Sequence, residues 1–120
     1  MRESIGGGRG MYDLFIIGAG PGGYTAAVLA ARKGLKVGIA EAQALGGTCT
    51  NRGCIPTKTY IESINLFTRI RNANRFGIEV GTPSISLAAL VKRQQRIVAR
   101  LAKGIELLLK NHAVDLYPHI

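Results

Sequence analysis

Cys49 and Cys54 stand five residues apart in a chain that holds no other cysteine, and two thiols at that spacing admit three uses. As catalytic thiols they would exchange a disulfide with a substrate dithiol. As core thiols they would do no chemistry, and as half of a zinc site they would need two more ligands. His112 and His119 are the only histidines, and neither shows zinc-motif spacing, so no metal is expected. A reducing cell interior breaks ordinary disulfides, which makes a structural framework a poor use of the pair. His112 falls near a predicted helix end, where capping is the simpler role.

A second cluster of chemistry lies upstream. Gly18-Ala19-Gly20-Pro21-Gly22-Gly23 places Gly18, Gly20 and Gly23 in the G-x-G-x-x-G positions. A missing Cβ at those positions permits a tight turn, close approach to a pyrophosphate and close helix-to-strand packing. A helix beginning there offers unpaired N–H groups and a favourable dipole to the phosphates. Glu41 follows at about the twenty-residue offset of an acid that accepts from ribose hydroxyls, and its charge disfavours the 2′-phosphate of NADP. The fingerprint by itself does not separate FAD from NAD, since both carry an ADP half.

Elements must hold these residues in place. Leu14, Phe15, Ile16 and Ile17 form a continuous apolar run of the kind that a doubly covered parallel strand shows. An alanine-rich helix is predicted over residues 24–33 with Gly34 as its C-cap, and a second strand over 35–40, closed by Glu41. Strand, helix and strand in about thirty residues make a βαβ unit. Beyond Pro56 a helix is predicted to about Arg75, with Ile61, Ile64, Phe67 and Ile70 as an apolar stripe, broken by Gly77 and the Gly81-Thr82-Pro83 group. A second long helix, capped by Ser86, turns Leu90, Val91, Ile97, Val98, Leu101, Ile105, Leu108 and Leu109 toward the core, and both stripes are read as core packing. Val114 to Tyr117 reads as a third strand. Three parallel strands leave an edge of unpaired backbone groups for something else to cover.

With those elements around it, the segment Gly46-Gly47-Thr48-Cys49-Thr50-Asn51-Arg52-Gly53-Cys54-Ile55-Pro56-Thr57-Lys58 resembles the signature G-G-x-C-x-x-x-x-C-x-P-x-K of the pyridine-nucleotide:disulfide oxidoreductases. The resemblance covers the chain from about Met11 to its end. It implies an α/β, Rossmann-like FAD-binding domain, a parallel sheet with flanking helices, of which residues 11–120 supply the N-terminal part; the chain is expected to be an incomplete fragment. It implies a redox-active disulfide between Cys49 and Cys54, with Cys54 against the flavin and Cys49 as the interchange thiol. Gly18, Gly20, Pro21 and Gly22 would line the pyrophosphate, and Glu41, Ala42 and Gln43 the adenosine. Gly46, Gly47, Thr48 and Gly53 would follow the diphosphate and ribityl chain, and Lys58 would lie beside the flavin ring. His119 stands where the family commonly carries glycine near the adenine. NAD would be bound by a domain that the chain lacks.

The Cys-Ile-Pro-Thr-Lys run with Asn51 nearby resembles the dihydrolipoamide-oxidising branch more than the glutathione or mercuric reductases. The expected substrate is therefore a lipoamide-type disulfide, carried on a 2-oxoacid dehydrogenase complex, and the expected full-length state a homodimer. A stand-alone flavin redox module is the competing reading, disfavoured because nothing after the third strand remains to cover an isoalloxazine ring.

If the cysteines pair, geometry limits the backbone between them. Residues five apart in a regular helix have Cα atoms roughly 8.5 Å apart, whereas a disulfide needs less than about 7 Å. A turn or distorted helix must therefore fall within residues 50–53, with regular helix only from about Cys54 and Pro56. That would place the pair at a helix N-terminus, which favours thiolate.

Composition narrows the partners. The 120 residues suit one modest core. Sixteen basic against seven acidic residues give a net charge of +9, but the densest basic group, Lys92, Arg93, Arg96 and Arg100, has helical spacing and no interleaved aromatics, so a solvated face is expected rather than nucleic acid. No apolar run is long enough to cross a bilayer, and no membrane partner is expected. Residues 1–10, with Gly6, Gly7, Gly8 and Gly10, read as a flexible leader. A soluble cytoplasmic protein is expected, or a mitochondrial matrix protein in a eukaryote.

Overall fold

The computed structural model describes residues 11–120; the glycine-rich leader read from the sequence lies outside them. The chain runs β1 (Leu14–Ile17), α1 (Pro21–Arg32), β2 (Val37–Glu41), α2 (Gly47–Asn51), α3 (Cys54–Arg71), a 3-10 turn (Ala73–Phe76), α4 (Leu87–Asn111) and β3 (Asp115–Pro118). The three strands form one parallel sheet in the order β1-β2-β3. Ile16 pairs with Ile39, and Ile39 with Leu116.

The sheet, α1 and α4 share one core. Val37 and Ile39 of β2 meet Ala27 and Val28 of α1 and Ile105 and Leu109 of α4, flanked by Leu14, Ile16 and Leu116. Ile39 is completely buried. β2 is buried from Val37 to Ala40, whereas β1, the strand expected to be covered on both faces, is not. On its second face Phe15 remains 47% exposed and Ile17 90%. Phe15 there contacts the rings of Tyr12 and Tyr117, whereas no described element covers Ile17. On the same side the Tyr12 hydroxyl donates to Asp115 Oδ2 at 2.8 Å and shares a hydrogen bond with the Tyr117 hydroxyl at 2.5 Å. These contacts raise the Tyr12 pKa above its ordinary value, chiefly through Tyr117, then through burial and Asp115.

Helix boundaries depart from the sequence reading in ways that local chemistry explains. α1 starts at Pro21, not Tyr24, because proline in the first turn has its φ already set and lacks only an N–H that would go unpaired anyway. Its C-terminal turn closes on Gly34 at φ +87°. Ser86 caps α4 as expected, its Oγ accepting from Ala89 N at 3.3 Å. At the other end His112 is the C-cap, with Nδ1 2.9 Å from the Leu108 carbonyl oxygen.

The apolar stripe of α3 is not core packing in this chain. Ile61 is 52% exposed and Ile64 45%, while Phe67 and Ile70 are half-buried. α3 leans on α4 along a flank beside the stripe, where the Arg93 guanidinium reaches the Thr59 carbonyl at 3.3 Å and Ser63 Oγ at 3.5 Å. The stripe of α4 divides: Ile105 and Leu109 are buried, Leu90, Val91, Ile97 and Val98 half-buried, and Leu101 and Leu108 exposed. The sheet is short, so the far part of this 25-residue helix extends beyond it.

Candidate functional site

Two loops meet at the ends of β1 and β2. The first leaves β1 at Gly18, whose N–H donates to the Ala40 carbonyl at 2.7 Å, and enters α1 at Pro21. A Cβ on Gly23 would overlap the Gly18 carbonyl oxygen, so helix and strand close on each other only because the residue is glycine. The second loop leaves β2 at Glu41 and is stitched to the first by Gly46 N–H, which donates to the Ala19 carbonyl at 2.9 Å. Gly47 completes the contact: a Cβ there would lie 2.9 Å from Gly20 Cα, and its φ of +59° is itself unfavourable for other residues. Glycine-rich turn and cysteine segment are thus in van der Waals contact.

Glu41 ties the arrangement together. Its Oε2 accepts from Ala19 N–H and its Oε1 from Gln43 N–H, each at 2.8 Å. The acid thus organises both loops through backbone donors, while each oxygen retains a lone pair. Its carbonyl accepts from His119 N–H at 2.7 Å. His119 has φ +63°, a left-handed conformation that glycine adopts most easily.

The cysteines are joined by a disulfide with Cα atoms 4.7 Å apart. The backbone answers the geometric requirement by breaking: Cys49 lies in α2, which ends at Asn51, and Cys54 is the first residue of α3. Arg52 and Gly53 make the break, with Gly53 at φ −123° and ψ −103°. The short helix around Cys49 was not foreseen, and only Cys54 lies at the N-terminus of a long helix. Pro56 sits within the first turn of α3 as expected. Cys49 is half-buried and Cys54 exposed. Lys58 lies four residues after Cys54, on the same face of α3, and is exposed.

Glu41, Gln43, Ala44, Gly47, Thr48, Asn51 and Arg52 line a cleft of about 400 Å³. The structure therefore gathers Glu41, Gln43, Gly47 and Thr48 in one place. Gly20 stands next to it through its contact with Gly47, Gly18, Pro21 and Gly22 belong to the same turn, and Ala42, Gly46, Gly53, Cys54 and Lys58 are not on its walls. Three residues on its walls, Ala44, Asn51 and Arg52, had no assigned site role in the sequence. The Asn51 amide donates to the Gly47 carbonyl at 2.8 Å and the Leu45 carbonyl at 3.0 Å, holding the loop that carries Gly46 and Gly47. Its four-residue offset from Gly47 was a readable signal, since such side chains return to the preceding turn. Arg52 had no such signal. Among the described residues no group of three or more His, Cys, Asp or Glu could hold a metal ion, and no helix is long and apolar enough to cross a membrane.

Parallel strands, a helix entered through a glycine turn, and a disulfide spanning a helix break against that turn define a Rossmann-like α/β redox protein. The pyridine nucleotide-disulphide oxidoreductase family model matches residues 12–119, and the chain belongs to that family of oxidoreductases. It is similar to the dihydrolipoyl dehydrogenase of Chlorobaculum tepidum, with 47% identity over 104 residues, 87% of this chain and 22% of the relative. That of Bacillus subtilis is 41% identical over 106 residues, 88% and 22%, and that of Chlamydia trachomatis 42% over 106 residues, 88% and 23%. The chain thus spans about a fifth of the length of these curated relatives.

Proposed function

We propose that the protein carrying this chain is a flavoprotein that oxidises dihydrolipoamide through the Cys49–Cys54 disulfide, with FAD as resident cofactor and NAD as final acceptor. The observation that carries the reading is the contact between the disulfide-bearing segment and the glycine turn, Gly47 against Gly20. It would put an exchangeable disulfide beside a dinucleotide.

The residues fit that cofactor. α1 begins at Pro21 with no side chain capping its first amides, which suits a diphosphate. Glu41 is fixed by two backbone donors at the strand end and has lone pairs left for ribose hydroxyls. Gly46, Gly47 and Thr48 would continue the path toward the cysteines, and Lys58 would add a positive charge on the face of α3 that bears Cys54. When bound, FAD supplies a two-electron acceptor that can pass a hydride equivalent to NAD.

The chain's own share of the chemistry is thiol–disulfide exchange. One dihydrolipoamide thiolate attacks Cys49 Sγ, the Cys49–Cys54 bond breaks, and Cys54 leaves as thiolate. The second substrate thiol loses its proton to water and, as thiolate, attacks the substrate-side sulfur of the mixed disulfide, which closes the lipoamide ring and releases Cys49 as thiolate. Two electrons and the disulfide bond are exchanged: dihydrolipoamide is oxidised to lipoamide and the protein disulfide is reduced. The break at Arg52 and Gly53 lets the two sulfurs meet without straightening either helix.

The test is steady-state turnover of the purified full-length protein. It should carry flavin and reduce NAD with dihydrolipoamide faster than it acts with glutathione or mercuric ion. A protein lacking flavin that takes up none when FAD is added, or one faster with either alternative substrate, would remove the reading.

A further inference from the structure

Arg52 ends α2 as its C-cap residue and lines the same cleft as Glu41, Gly47 and Thr48. Among the described residues it is the only cation on those walls, as Glu41 is the only anion. Among the described residues the two form no ion pair, and the carboxylate accepts from Ala19 and Gln43 N–H. Among the described residues the Arg52 side chain has no hydrogen-bonding or ionic partner, and the residue is exposed. No lysine or arginine occurs from Gly18 to Gly23, so the glycine turn would meet a diphosphate with backbone groups alone.

From this placement we infer that Arg52 binds the adenosine-side phosphate of the dinucleotide, while Glu41 takes the adjoining ribose from the same cleft. This rests on the flavin reading above and extends it to a residue outside the glycine turn and the cysteine pair. A guanidinium suits such a contact, because its planar fork matches phosphate oxygens and it stays charged at any working pH. Thr48, one helical turn before Arg52, lines the cleft with it, and binding there would tether the C-cap of α2, next to the break that lets the cysteines pair.

The test uses flavin-stripped full-length protein titrated with FAD, ADP and adenosine. Arg52→Ala should weaken FAD and ADP about tenfold, the order of one hydrogen-bonded contact between charged groups, and leave adenosine within twofold of the parent. It should also flatten the salt dependence of ADP binding, and Arg52→Lys should recover part of the loss. ADP binding within twofold of the parent, or adenosine weakened as much as ADP, would overturn the inference. A parent protein that binds neither FAD nor ADP would instead remove the flavin reading, and this inference with it.

Discussion

Replacing Glu41 with glutamine separates the acid's structural work from its work on a ligand. The carboxylate accepts one backbone N–H on each oxygen, both at 2.8 Å. Glutamine keeps one acceptor oxygen but turns an NH2 group toward the other donor, so one of these bonds is lost. Ala19 is completely buried, and its N–H cannot turn to water without opening the loop. A hydrogen bond to a charged group contributes about 1.5–3 kcal/mol; with Glu41 half-buried, a loss of about 2 kcal/mol is expected. Through the tenfold-per-1.4-kcal/mol relation this becomes roughly thirtyfold faster exchange of the Ala19 or the Gln43 amide hydrogen in cofactor-free protein. FAD affinity should fall as well, by about 1.5–3 kcal/mol, through the weakened ribose contact. Amide exchange resolved by magnetic resonance or mass spectrometry reads the first effect and flavin titration the second. Exchange at both amides within twofold of the parent would refute the structural half of the reasoning, even if flavin binding weakened.

In the full-length protein Cys49→Ser should retain a long-wavelength absorption band from the remaining thiolate beside flavin and lose disulfide turnover, whereas Cys54→Ser should lose both; the reverse pattern in the spectra would invert the two roles. Ala113 follows the C-cap of α4 at φ +54°, so Ala113→Gly should stabilise by about 0.5–1 kcal/mol, seen as a higher thermal midpoint, and a lower midpoint would contradict that backbone. Because the Tyr12 pKa is raised in the folded state, the stabilisation linked to its proton is fully present below the ordinary tyrosine range near 10 and is lost as pH climbs toward the folded value. Phenolate absorbance should show a phase above the ordinary tyrosine range, and Tyr12→Phe should remove that late phase; its persistence would assign the phase elsewhere.

Much of this protein is legible in its residues because the signals are local. The apolar run before Gly18, the glycine turn, Ser86 before a long amphipathic stretch, and the impossibility of two bonded cysteines five apart in straight helix each depend on a few consecutive side chains and backbone geometry. They yielded the three strands, the Ser86 cap and a break between the cysteines. The break fell at Arg52 and Gly53, and α2 formed ahead of it. What the sequence could not decide was which apolar surfaces meet. Periodicity placed Ile61 and Ile64 on one face of α3, and the continuous apolar run of β1 implied cover on both of its faces, but burial requires a partner surface, and α1 and α4 cover only one side of the sheet while α4 meets α3 on a different flank. The same limit hid the second role of Glu41 and the place of Arg52. Both arise where loops separated along the chain are brought within bonding distance, through the Gly20–Gly47 contact and the hydrogen bond from Gly46 N–H to the Ala19 carbonyl.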